Sequence, residues 1–243
     1  MAEMMFYEHV APLNEARHVA LKVLPAKTFA YAARTNSVPI VGSEFFECAR
    51  EYPIVFVQGQ TCPLPAVLLG LRESENLYVD TTGKWDARYV PAFVRRYPFV
   101  PAKGPQDDLL VCIDEASPCF SEAEGEALFA DGKPTAQLEH AIRFLREFHQ
   151  SAAATERMCL RLAELGLLRQ ADSVAELKDG SRFRLNGLQV VDEPRLRALD
   201  NEAVQELFGS GGLALIHAHL ISLGNLAVLV DRLSKRGKRR KKA

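Results

Sequence analysis

Apolar residues come in short runs through the first half of the chain and at helical spacing through the second. His18–Leu24 reads as a strand closed by Pro25, and Phe29–Ala33 as a second short one. Ser43 is placed to N-cap a helix over Glu44–Glu51, which Tyr52-Pro53 stops. Pro53–Val57 follows as an apolar strand, then Val67–Leu71 and Leu77–Val79 across a polar turn, and later Leu109–Ile113. Beyond Ser117 the spacing changes. Leu138, Ile142, Leu145 and Phe148 make a helical stripe from Thr135 to about Gln150, and Glu156–Leu168 carries a second helix. Val174–Leu177 and Phe183–Val191 alternate like strands, with Asp179-Gly180 as their hairpin turn. Asp200 caps a short helix over Asn201–Phe208, and Gly211–Leu233 predicts a long final one.

Strands and helices come in mixed blocks rather than strict alternation. The fold class expected is therefore α+β, with an antiparallel-rich sheet in the first half. The second half is helix-rich, with a hairpin and a long C-terminal helix. A soft subdomain boundary near residue 117 separates the halves, with no Gly/Ser/Pro linker to mark it.

Charge is distributed unevenly. Of the 30 lysines and arginines, eight lie in the last dozen residues, which leaves 22 against 31 acids and a body near −9. The tail is thus a separate electrostatic object. Cys48, Cys62, Cys112, Cys119 and Cys159 are odd in number and widely spaced, which suits reduced thiols rather than a disulfide framework. The N-terminal residues lack a basic stretch followed by an apolar one, so no secretory signal is expected. A cytoplasmic location follows from these two readings.

The most unusual stretch is Gly83–Val100, with the chain's single tryptophan, two tyrosines, two phenylalanines and three arginines. Arginine pairs bidentately with carboxylate or phosphate and stacks on rings. The stretch reads either as a binding segment or as a connector whose rings fill the core.

Here a resemblance enters. Pro12-Leu13-Asn14, Arg17-His18, Glu44-Phe45, Arg50-Glu-Tyr-Pro-Ile-Val-Phe56, Gly83-Lys-Trp85, Tyr89-Val-Pro91, Arg95-Arg-Tyr-Pro-Phe99, Cys112-Ile-Asp114 and Ser222-Leu-Gly-Asn225, in this order, resemble the SapC family. The similarity runs to about Arg232 and leaves the basic tail outside it. It implies a bacterial protein and, through the family's name, a link to a surface layer. It carries no catalytic residue to this chain. A single domain over residues 1–232 is expected, followed by a disordered basic tail over 233–243. A transporter permease with a similar name would need several apolar spans of about 20 residues, and this chain offers at most one.

Specific chemistry finds little support. H-E-x-x-H, Walker A, G-x-G-x-x-G and G-x-S-x-G are all missing, and His217-x-His219 cannot share a helix face. Neither metal nor cofactor is expected. Gly209–Gly212 reads as a helix entrance. Glu44, Glu47 and Glu51 form one helix face, which is either solvated or set against Arg95 and Arg96. Gly211–Val230 is uncharged over a membrane-spanning length, but His217, His219, Ser222 and Asn225 suit a core helix better.

The leading functional reading is a module that binds a small molecule or a protein partner. Its candidate residues are Trp85, Arg95, Arg96, Tyr97, Glu44 and Asp114. An enzyme built on the same cluster, or an envelope component, are the alternatives. Nucleic acid is disfavoured because no aromatics interleave the tail's cations, whereas those cations suit peripheral contact with a membrane.

Overall fold

Five short strands make the central sheet. Their order is Leu168–Gln170, Leu188–Val191, Ile54–Gln58, Pro63–Leu68 and Ser37–Pro39, with every neighbour antiparallel. The computed structural model describes residues 5–104, 108–171, 173–176, 182–185 and 187–240; for 173–176, 182–185 and 238–240 it describes the backbone alone. Ile54, Val55 and Phe56 are buried in succession. Successive strand residues point to opposite faces, so both faces of the sheet are covered there. Ile54 and Val55 pack with Ala218, Leu229 and Leu233 of the C-terminal helices. Phe56 packs with Cys159, Leu162 and Ile216. Each such side chain contributes about 1.5–3 kcal/mol by leaving water.

A second sheet joins Val10–Pro12, Leu109–Asp114 and Phe99–Lys103, with Leu109–Asp114 in the middle. One helix, Ala136–Glu164, ties the two sheets together. Its first half sends Leu138 and Leu145 against Phe99 and Ile113, and its second half sends Cys159 and Leu162 against Phe56. Two helices were expected here. The sequence between them, Ser151–Thr155, contains no glycine or proline and three alanines, so nothing breaks the helix. Thr135 caps its start, accepting from the Leu138 N–H.

Antiparallel sheets with most of the helix in the second half give the α+β class expected. Several local assignments differ. His18–Leu24 is not one strand: Glu15–His18 winds into a helical turn, because the Asn14 side chain accepts from Arg17 N–H and the His18 ring accepts from Asn14 N–H. Only Lys22–Val23 is extended. Ala30–Ala32 is a 3-10 turn rather than a strand. Leu77–Val79 forms only a bridge between Val79 and Trp85. The strand expected at Val67–Leu71 is instead Pro63–Leu68. The helix after Ser43 shrinks to a 3-10 turn, Gly42–Glu44, and one helical turn, Phe45–Cys48; Ser43 sits inside the first and caps nothing. Phe99–Lys103 is a strand that its prolines concealed.

The hairpin is present as Ser173–Glu176 paired with Arg182–Leu185; the Asp179-Gly180 turn lies outside the described residues. Leu188–Val191 is a separate strand rather than a continuation of the second one. The soft boundary at 117 is crossed: Lys22–Val23 pairs with Phe120–Ser121 and Glu126–Ala127, and the central sheet draws on both halves.

The final helix is a run of two, Gly212–Ser222 and Leu226–Arg240, joined by a 3-10 turn at Leu223–Asn225. Gly211 opens it with φ 77°, a left-handed conformation that favours glycine. The run continues through Arg240, past the boundary drawn at residue 232 and into the segment expected to be disordered, and Leu233 is buried. Its polar residues act as sheet partners. His219 Nδ1 donates to Ile54 O (2.9 Å), and its Nε2 accepts from Val191 N–H (3.1 Å). Ser222 Oγ accepts from Ile54 N–H at 2.9 Å. Asn225 donates to the carbonyls of Ala49 and Tyr52. Burial pushes His219 down to about 4, so the ring stays neutral between its two partners.

Candidate functional site

The stretch Gly83–Val100 divides at Ala92. Upstream of it, every polar group that attracted attention in the sequence has a protein partner. Trp85 is buried, and its Nε1 donates to Tyr52 Oη at 2.9 Å; Tyr52 Oη donates in turn to Tyr89 O. Glu44 is buried too. Its Oε1 accepts from Ala92 N–H (2.6 Å) and Tyr89 OH (2.8 Å), and its Oε2 from Val41 N–H (3.0 Å). Glu51 accepts from the N–H groups of Arg88 and Tyr89. The carboxylate row therefore holds the 88–92 backbone rather than the Arg95 and Arg96 side chains. Arg95 reaches Glu44 only through Tyr89, whose hydroxyl accepts from Arg95 Nη2 at 3.2 Å. Glu47 pairs with Arg50 at the surface. Burial pushes the Glu44 carboxyl above its usual range, and its three donors oppose that shift.

Downstream, one helical turn, Ala92–Arg95, delivers Arg95, Arg96 and Tyr97 to the rim of a cleft of about 280 Å³. Val23–Ala26 forms one wall, and Gln137, His140, Ala141, Phe144 and Leu145 of the long helix form another. Among the described residues, two arginines and a histidine line it, and no carboxylate does. Arg95 is exposed, lying against the rings of Tyr89 and Phe144.

Arg96 is the unusual member. It is 4% exposed, with its guanidinium carbon 3.9 Å from the Phe93 ring centre and 5.3 Å from that of Phe148. Nε donates to Tyr7 Oη at 3.1 Å, yet Nη2 is buried with no hydrogen-bond partner. A buried guanidinium donor left unsatisfied is costly, and native structures seldom keep one without a reason.

Tyr97 is shared with a second, larger cleft of about 790 Å³. There Tyr97 stacks on Tyr31 with ring centres 4.0 Å apart, beside Phe6 and Tyr7. Lys27 and Arg34 line the same cleft, with Glu8 as its acid. Burial raises the phenols of Tyr7, Tyr31 and Tyr97, which therefore remain neutral hydrogen-bonding groups.

Three of the sequence candidates, Arg95, Arg96 and Tyr97, thus share the cleft. Trp85, Glu44 and Asp114 do not line it. Asp114 is buried elsewhere, accepting from the N–H groups of Glu8, His9 and Ala116 and so fixing the N-terminal strand beside its own. His140, Phe144, Phe148, Tyr7 and Tyr31 were missed. One signal was available, the i, i+4, i+8 row of His140, Phe144 and Phe148 beside the apolar stripe of the long helix.

Among the described residues, no three histidine, cysteine, aspartate or glutamate side chains gather as metal ligands. The five cysteines are free and buried, and burial pushes Cys159 up to about 12. A thiol that stays protonated at neutral pH is a poor nucleophile. What the arrangement offers chemically is two guanidinium groups near a histidine, residue types that pair with carboxylate or phosphate, one of them buried with an unused donor.

No curated protein and no solved structure matches the chain. The SapC family model matches residues 13–229, a span that takes in the central sheet, two of the three strands of the second sheet and the whole lining of the Arg95–Arg96 cleft, and the chain belongs to the SapC family.

Proposed function

We propose that this SapC-family chain is a non-catalytic binding module whose small-molecule ligand carries a carboxylate or phosphate, seated in the Arg95–Arg96 cleft. The observation that carries this reading is the buried Arg96 Nη2, which has no partner among the described residues, on a residue that lines a cleft whose described lining also holds Arg95 and His140 and no acid. A charged acceptor there would satisfy the spare donor at close to full strength. The cleft is just below the usual size for a small-molecule site, so it suits an anionic head group, with the aromatic cleft across Tyr97 available to the rest of the ligand. Glu44 and Asp114, the carboxylates available for acid–base chemistry, are committed to backbone N–H groups away from this cleft, which supports binding over catalysis. Five free, buried cysteines support a reducing, cytoplasmic setting.

Calorimetric titration with acetate, inorganic phosphate and chloride tests the reading. Binding of acetate or phosphate by the native chain, lost in Arg96→Met, supports it. Equal heats for both proteins, or none for the native chain, would sink it.

A further inference from the structure

The C-terminal helical run has two faces with different obligations. Residues Gly212–Gly237 are long and apolar enough to cross a bilayer. Spanning would nevertheless pull Ile216, Leu229 and Leu233 from the core. It would also break the bonds of His219 and Ser222 to the Ile54 strand, of Asn225 to Ala49 and Tyr52, and of Arg232 to Asp86. The inner face is thus committed to the protein.

The outer face is not. Ile221 is 74% exposed and Val228 42%, and they stand seven residues apart with exposed Gly224 between them. A Cβ added at Gly224 would meet nothing within 4 Å, so the row there is flat and open. The same row continues to Asp231 and Lys235. From Arg232 onward the chain holds eight cations and no acid, while the rest of it is near −9. Arg232 and Arg236 are used internally, by Asp86 and the Asn76 carbonyl.

We propose that this run docks on an anionic lipid bilayer, lying along it with Ile221 and Val228 among the headgroups and the cations beyond Arg236 against lipid phosphates and carboxylates. Charge complementarity names the occupant. Each lysine or arginine near an anionic surface raises affinity about fivefold, while the acidic body is repelled, so only this end approaches. Nucleic acid fits less well: no phenylalanine, tyrosine or tryptophan follows Phe208 to stack on bases, and an apolar row has no partner on a phosphodiester backbone. The inference does not depend on the anion cleft.

Vesicle flotation of the full chain tests it, with phosphatidylcholine alone and with phosphatidylcholine and phosphatidylserine at about 3:1. Floating with the anionic vesicles only, with loss as salt rises, is the expected result. Replacing Lys238, Arg239, Arg240 and Lys241 by Glu should weaken binding roughly 100-fold or more at an unchanged melting temperature. Ile221→Ser with Val228→Ser should weaken it less, but measurably. Three results would overturn the proposal: equal flotation with both vesicle types, flotation by the Ser variant equal to the native chain, or tighter binding to duplex DNA than to the anionic vesicles.

Discussion

Arg96 and Glu44 are both buried, ionisable and in contact with the same aromatic segment, yet they end differently. All three hydrogen bonds aimed at Glu44 come from the protein. Arg96 keeps a donor that the protein does not use. The difference lies in what each can reach. Glu44 faces the bend at Tyr89–Ala92, which offers it the Ala92 N–H and the Tyr89 hydroxyl, whereas Arg96 is flanked by the rings of Phe93 and Phe148, which attract its charge but accept no in-plane hydrogen bond. Groups satisfied internally belong to the fold, and a buried group left with capacity is where a ligand belongs.

Substitutions should separate the two halves of Gly83–Val100. The largest effect is expected at Trp85→Ala, which empties a buried ring site and removes the donor to Tyr52 Oη: chemical denaturation should show a loss of about 3–5 kcal/mol. An effect confined to ligand binding would break the assignment of this half to the fold.

Next comes the pH dependence of stability. His219 is neutral in the folded chain, with its value lowered from 6.5 to about 4. Between those values the unfolded chain takes up a proton that the folded chain refuses. Stability should therefore be complete above about 6.5 and fall as the pH drops toward 4, by about 3 kcal/mol. Denaturation of His219→Gln across that range should show a flatter profile, and an unchanged slope would remove His219 as the cause.

Glu44→Gln should cost about 1–3 kcal/mol, because whichever way the amide is set its NH2 faces an N–H or O–H donor. The smallest effect on stability is expected at Arg96→Met, about 1 kcal/mol or less. A buried cation with an unused donor adds little net stability, and the methionine keeps the packing on Phe93. A loss larger than that of Glu44→Gln would erase the contrast between the two residues.

The parts of the fold legible from sequence were those whose pattern was local. Ile54–Val57 and Leu109–Ile113 announce buried strands by unbroken apolar runs, and Asp200 and Asp192 sit one residue before helices they cap, although only the first was read that way. What failed was set by partners far away. Glu44 looked like one of a solvated row, since its acceptors are occupied by residues 45–48 positions later. Of the residues that line the cleft, Arg95, Arg96 and Tyr97 were among the sequence candidates. His140 and Phe144 were not, because they come from a helix that meets the Arg95–Phe99 segment only by crossing from one sheet to the other. Asp114 and Trp85 carried family blocks and were read as site residues, but their geometry makes them struts. The uncharged final run was resolved by its polar minority: His219, Ser222 and Asn225 each find a backbone partner in the sheet or just before it.

The central claim, that the Arg96 cleft is an anion seat, is tested most directly by thermal unfolding at fixed ionic strength, with chloride replaced stepwise by phosphate or acetate. A bound anion raises the midpoint by mass action, by about 5–10 °C at roughly a hundred times its dissociation constant for a chain of this size. The account predicts that rise in the native protein and none in Arg96→Met. A midpoint indifferent to the anion, or one that rises equally in both proteins, would contradict it.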